Sequence, residues 1–178
     1  PLEEGHDVVI STAHELADSQ LVAQAVGQFY SVPCASPQYL QRRGVPDHPL
    51  ALGDHQCLRM LDPLYSDQWV FQDEEGEHAV SPSRTFQCNV AESMVKASEA
   101  GMGISLIPFY TARRPLSDGT LLRLLADYRP RQRNVYAVYP SRRFLDAKVR
   151  TWVDFLKAEL PKLFAEHEAV INDPRHWA

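Results

Sequence analysis

No stretch of this chain approaches the ~20 consecutive apolar residues that a membrane-crossing helix needs, so no helical span is expected. Cysteine is scarce. Cys34, Cys57 and Cys88 are odd in number and far apart, which argues against a disulfide framework and fits a reducing, cytoplasmic setting. Residues 1–41 hold no Lys or Arg, against five acids: Glu3, Glu4, Asp7, Glu15 and Asp18. The rest carries 18 bases and 23 − 5 = 18 acids, for a net charge of −5. This is not the basic profile of a DNA-binding module, so specific DNA binding by this chain alone is not expected. The acidic start, Pro1-Leu-Glu-Glu-Gly, does not read as a signal peptide. Gly-rich phosphate loops, a Gly-x-Ser-x-Gly elbow and paired catalytic carboxylates are all missing, so neither an enzyme nor a cofactor is expected. Repeats and low-complexity tracts are missing too.

What is present is clearest between Asn89 and Pro108. Asn89 reads as a helix cap, and Glu92 three residues on can reach back to it as in a capping box. Gly101 is placed to stop that helix in a positive-φ conformation, and Gly103 keeps the following turn tight. Ile104, Leu106 and Ile107 read as a short buried strand, which Pro108 ends. A helix start of this kind is a natural anion site, because its unpaired amides and its dipole attract negative charge.

The same reading predicts a strand at Asp7–Ile10 and extended segments at 21–26 and 30–35, with Gly27 between them. Ser36 should cap a short helix with Pro37 at its first position and Gly44 at its end. Strands are expected at 57–61, 69–71, 77–80, 84–88, 121–125 and 134–139, with a hairpin turn at Asp73–Gly76 and a short helix at 111–116. A helix over 146–164 carries Val149, Trp152, Val153, Leu156, Leu160, Leu163 and Phe164 at helical spacing, and Pro161 should end or kink it near Leu160. The tail from Asn172 has no periodicity and is expected to be mobile. Strands alternating with helices make the fold class α/β. Seven histidines invite a metal reading, but His48, His55 and Cys57 match no zinc spacing and read as a loop. Cys34 and Cys88 read as buried structural thiols. Arg129, Arg131 and Arg133 read as a solvated loop.

Five segments in order carry a resemblance. Gly5-His-Asp7-Val-Val-Ile10, Cys34-Ala-Ser36-Pro37-Gln-Tyr39-Leu40, the Asn89–Pro108 unit, Asp118-Gly119-Thr-Leu121-Leu-Arg-Leu124-Leu125 and Val135-Tyr136-Ala-Val138-Tyr139-Pro140 follow one another. Together they resemble the C-terminal effector-binding domain of LysR-type transcriptional regulators, over roughly residues 5 to 160.

The resemblance implies a two-lobed, periplasmic-binding-protein-like fold with two crossover segments and a ligand cleft between the lobes. It maps the first lobe to residues 1–33 plus 125–178, and the second to 34–124. The family's opening strand, helix and strand, and its DNA-binding winged helix-turn-helix, have no counterpart here. The first lobe is therefore expected to be incomplete, with an exposed strand edge that favours association with another chain. By the same analogy the partner is a small-molecule effector, an organic acid or aromatic, and contacts are expected from Thr12, Ser36, Asn89, Pro108 and Phe109. Self-association as a dimer or tetramer, and DNA contact only through the domain absent here, complete the implied picture. A free-standing solute-binding protein of the same fold is the alternative.

Overall fold

Strands and helices alternate in the computed structural model, which describes residues 6–12, 21–61, 68–83, 86–140 and 147–178. The strands are β1 (Val9–Ser11), β2 (Leu21–Phe29), β3 (Ser31–Ala35), β4 (Cys57–Met60), β5 (Trp69–Gln72) and β6 (Glu77–Val80). They continue with β7 (Phe86–Cys88), β8 (Ile104–Pro108), β9 (Leu122–Arg123), β10 (Arg129–Pro130) and β11 (Arg133–Pro140). The α-helices are α1 (Pro37–Arg43), α2 (Ala91–Glu99), α3 (Phe109–Ser117) and α4 (Ala147–Ile171). The chain divides into two compact units, 1–29 with 132–165 and 30–131 with 166–178. These boundaries differ from those implied by resemblance, most of all in the last thirteen residues, which contact the second unit.

In the first unit β11 is central, antiparallel to β1 on one side and β2 on the other. The segments expected on either side of Gly27 are less separate than predicted, because β2 runs straight through it. A bulge near Gly27, where Val135 pairs with Gly27 and Tyr136 with Ala25, absorbs the irregularity. A Cβ on Gly27 would stand 3.1 Å from Leu160 Cδ2, so glycine here lets α4 lie close on β2. Val149 and Val153 of the expected apolar stripe of α4 are buried, whereas Trp152 and Leu163 of the same stripe are 48% and 47% exposed.

Helix α4 does not end at Pro161. It continues to Ile171 with the proline inside it. Proline removes one i→i−4 bond, to the Lys157 carbonyl, but Lys157 and Pro161 both occupy exposed positions, where an unpaired carbonyl costs little. The predicted start at Asp146 lies outside the described residues.

In the second unit a five-stranded sheet runs β7-β4-β8-β3-β9. β7, β4 and β8 are parallel, and β3 is antiparallel to both its neighbours. A smaller antiparallel sheet, β10-β5-β6, carries the predicted hairpin: Asp73 N donates to Gly76 O (3.0 Å), and Asp73 Oδ1 accepts from Glu75 N and Gly76 N. The expected arginine loop is partly structured, since Arg129 and Pro130 pair with Gln72 and Phe71. Tyr39, Leu40, Leu52, Trp69, Phe71, Val80, Ile104 and Leu124 form the core of this unit.

The tail is ordered, against expectation. Asp173 caps a short 3-10 turn at Pro174–His176, Trp177 Nε1 donates to Ile171 O (3.0 Å), and Ala178 N donates to Arg123 O (3.0 Å). Its order comes from long-range partners, which is why local periodicity carried no sign of it.

Candidate functional site

Register decides which predicted residues meet. Ser31 pairs with Pro108 and Cys34 with Ser105, so β3 and β8 run in opposite directions. Met60 pairs with Cys88, and Leu58 with both Phe86 and Ser105. The carboxyl ends of β4, β7 and β8 therefore share one edge, which carries Leu61, Asn89 and Pro108–Phe109. In open α/β sheets that is the edge where ligands bind. Ser36 follows the other end of β3. Five residues of extended chain, about 16 Å, separate it from the Pro108 edge. Thr12 follows β1 in the other unit.

Ser36 is a helix cap, as predicted. Its Oγ accepts from Tyr39 N (3.3 Å), and the residue is buried. It lines a cleft of about 820 Å³ with Glu92, Lys96, Glu99, Arg114 and Asp118. Gly44 ends α1 at φ 81° and donates to Leu40 O. Gly101 takes φ 74°, and the bonds Gly101 N to Ser98 O and Met102 N to Ala97 O close α2 in a Schellman arrangement.

Asn89 is not the cap. Helix α2 begins at Ala91, so Val90 occupies the cap position and offers no side-chain acceptor; the capping box with Glu92 does not form. Pairing to β4 sets this boundary, because Leu61 N bonds to Cys88 O (2.7 Å) and holds the chain extended through Cys88. The first intrahelical bond is Met94 N to Val90 O, which leaves the amides of Ala91, Glu92 and Ser93 without intrahelical acceptors. The exposed Asn89 side chain precedes them.

Pro108 stands at the cap position of α3, again with no side-chain cap bond. Two helix starts without side-chain caps thus open on one sheet edge. They follow strands two positions apart, or about 10 Å. Val90 and Leu61, 45% and 54% exposed, give that edge an apolar surface. Phe109 is fully buried. Its ring lies 5.0 Å from Tyr30 and 6.4 Å from His167, and its amide donates to Tyr30 O (2.9 Å). It supports the edge from beneath.

The histidines separate. His48 Nδ1 accepts from Leu50 N, and His55 Nδ1 meets the Tyr39 hydroxyl at 3.0 Å. Burial pushes the Cys34 and Cys57 thiols up to about 12, which disfavours the thiolate form that a nucleophile needs. Cys88 departs from the buried reading: it is half-buried at the sheet edge, with Sγ donating to Val90 O.

Residues 1–161 match the family described as the LysR substrate-binding domain. This chain belongs to that family. The transcriptional regulator DmlR of Escherichia coli K12 is 30% identical over 167 residues, 93% of this chain and 52% of that protein. The chain spans about half the length of the curated relatives it matches. The regulatory domain of CrgA from Neisseria meningitidis superposes with a TM-score of 0.76 at 27% identity, covering 89% of this chain and 77% of that one. The full-length Vibrio cholerae virulence activator AphB gives 0.74 at 30% identity, covering 87% and 52%. The fold is that of LysR regulatory domains, as the ordered motifs implied. These relatives are transcriptional regulators, which favours the regulator over the solute-binding alternative. No described helix is long and apolar enough to cross a membrane.

Sequence reasoning missed Leu61, Val90 and Tyr30. The ends of parallel strands were the available signal, but strand order, which sequence does not display, was needed to use it.

Proposed function

We propose that this chain is the effector-sensing and oligomerisation domain of a cytoplasmic LysR-type transcriptional regulator, without enzymatic activity or a bound cofactor, and that its effector is a small organic acid, aliphatic or aromatic. The observation that carries the ligand class is the start of α2. Three amides without intrahelical acceptors and the Asn89 amide group stand beside apolar Val90 and Leu61 at the carboxyl edge of the sheet. Backbone N–H groups and the helix dipole suit a carboxylate, and the apolar residues suit the rest of such a molecule.

Glu92 already places a carboxylate in the first turn of α2, and it opposes a second. In the whole protein, ligand binding would alter DNA binding through a separate domain, and it can do so only if the ligand prefers one arrangement of the protein. Self-association fits β1, an edge strand with Ile10 half exposed.

The test is a thermal-shift panel of small aliphatic and aromatic carboxylates, with matched amines as controls. At least one acid should raise the melting temperature in proportion to its concentration. Asn89→Ala should weaken that response and Glu92→Gln should strengthen it. Stabilisation by amines alone, or an acid response that neither variant changes, would remove this edge as the binding site.

A further inference from the structure

Arg123 is a buried cation whose hydrogen-bond partners are neutral. It is 5% exposed. Its Nη1 donates to Ile171 O (3.1 Å) and Asn172 Oδ1 (2.8 Å), and the guanidinium stands 5.7 Å from the centre of the Trp177 ring. Its Nε is buried without an acceptor. No carboxylate pairs with it among the described residues. Burying a guanidinium this way is costly, so its presence here calls for a reason.

Its partners point to one. They all belong to the end of α4 and the tail. From there the side chains of Asn172 and Glu168 approach the Tyr30 hydroxyl. Tyr30 in turn accepts the Phe109 amide and packs its ring on Phe109, the first residue of α3. A continuous line of contacts runs from Arg123 through Asn172 and Tyr30 to the start of α3.

We propose that Arg123 is a positioning residue for the effector site: through Asn172 and Tyr30 it fixes the first turn of α3 at the carboxyl edge of the sheet. This rests on reading that edge as the effector site. Lysine would do this work less well, because its compact ammonium lacks the planar guanidinium that stands over the Trp177 ring while Nη1 bonds Ile171 and Asn172.

Amide hydrogen exchange of this chain without any effector tests the line directly. Arg123→Gln should speed exchange at Phe109 about tenfold, and Asn172→Ala should act alike. In a Tyr30→Phe background the further effect of Arg123→Gln should shrink below about twofold, since the relay is already cut. Arg123→Lys should restore only part of the protection. Faster exchange confined to Trp177 and Ala178, or an Arg123 effect of the same size in the Tyr30→Phe background, would make Arg123 a staple for the tail and overturn the proposal. If Arg123→Gln does not fold, Asn172→Ala and Arg123→Lys carry the same cycle. The carboxylate panel judges the edge as a binding site and the exchange cycle judges the relay, so either can fail alone.

Discussion

Gly103 faces the Gln56 carbonyl so closely that a Cβ on it would stand 2.4 Å from the oxygen. The neighbouring bond, Ile104 N to Gln56 O (2.8 Å), holds the two segments at that distance. The obstacle is backbone and cannot swing aside. Gly103→Ala should therefore cost about 1–3 kcal/mol, as over-packing does, read as a lower urea midpoint at unchanged slope.

Gly101 offers a graded comparison. Its φ of 74° penalises any side chain, and a Cβ would also press to 3.1 Å on Arg42 Nη2 and Gln38 Oε1. Gly119, at φ 70°, has open space around it. Gly119→Ala should cost about 1–2 kcal/mol from backbone strain alone, and Gly101→Ala somewhat more. Gly53→Ala, open and unstrained, should fall within about 0.5 kcal/mol of the parent. Equal effects at 101 and 119 would mean that the Arg42 and Gln38 side chains move away without cost.

The two predicted caps should now separate in a stability assay. Ser36→Ala loses a real cap bond and should cost about 1 kcal/mol, whereas Asn89→Ala should be near neutral. Val90→Asp, which supplies the missing acceptor, should stabilise by about 1 kcal/mol. A large loss at Asn89 would restore the capping box.

Pro161→Ala should raise stability by about 1–3 kcal/mol, because it removes the crowding of the proline ring against the Lys157 carbonyl and restores helix propensity, more than because it returns a donor. No gain would show that the helix is locally bent to suit the proline.

His55 gives a pH prediction. Burial, then the nearby Arg43 charge, lowers it from its usual 6.5. The Tyr39 hydroxyl accepts from Gln56 N and still has its own proton to donate to an unprotonated His55 Nδ1, an arrangement that suits the neutral ring. A folded value below the unfolded one means that the unfolded chain binds more protons. The contribution is complete above about 6.5 and is lost as pH falls through the folded value. Denaturant midpoints measured from about pH 8 to pH 5 should decline, and His55→Gln should flatten part of the slope. His167, lowered by burial and then Arg113, accounts for a further part. An unchanged slope in His55→Gln would exclude this histidine.

Much of the fold was legible because its signals are local. Gly44 and Gly101 end helices through their own backbone freedom, Ser36 caps through a hydroxyl three residues from its donor, and Asp73–Gly76 turns through its own carboxylate. The misreadings share the opposite character. Asn89 has the right chemistry for a cap, but β4 holds Cys88 extended and moves the helix start past it. Pro161 is a helix breaker by local rule, yet it is tolerated where the carbonyl it leaves unpaired lies on an exposed stretch. The tail lacks a pattern because Arg123, some fifty residues away, supplies its order.

By itself, the sequence determined the α/β class, the family and the Asn89–Pro108 unit as a place of interest, since each depends on residue type and short spacing. Only the tertiary structure decided which of the named residues share an edge. Strand order and direction put Asn89 and Pro108 on the same edge, two strands apart, and carried Ser36 to the far end of the sheet. They also brought Arg123 to Asn172 and the tail. Those relations are set by pairings between distant segments, and no local pattern encodes them.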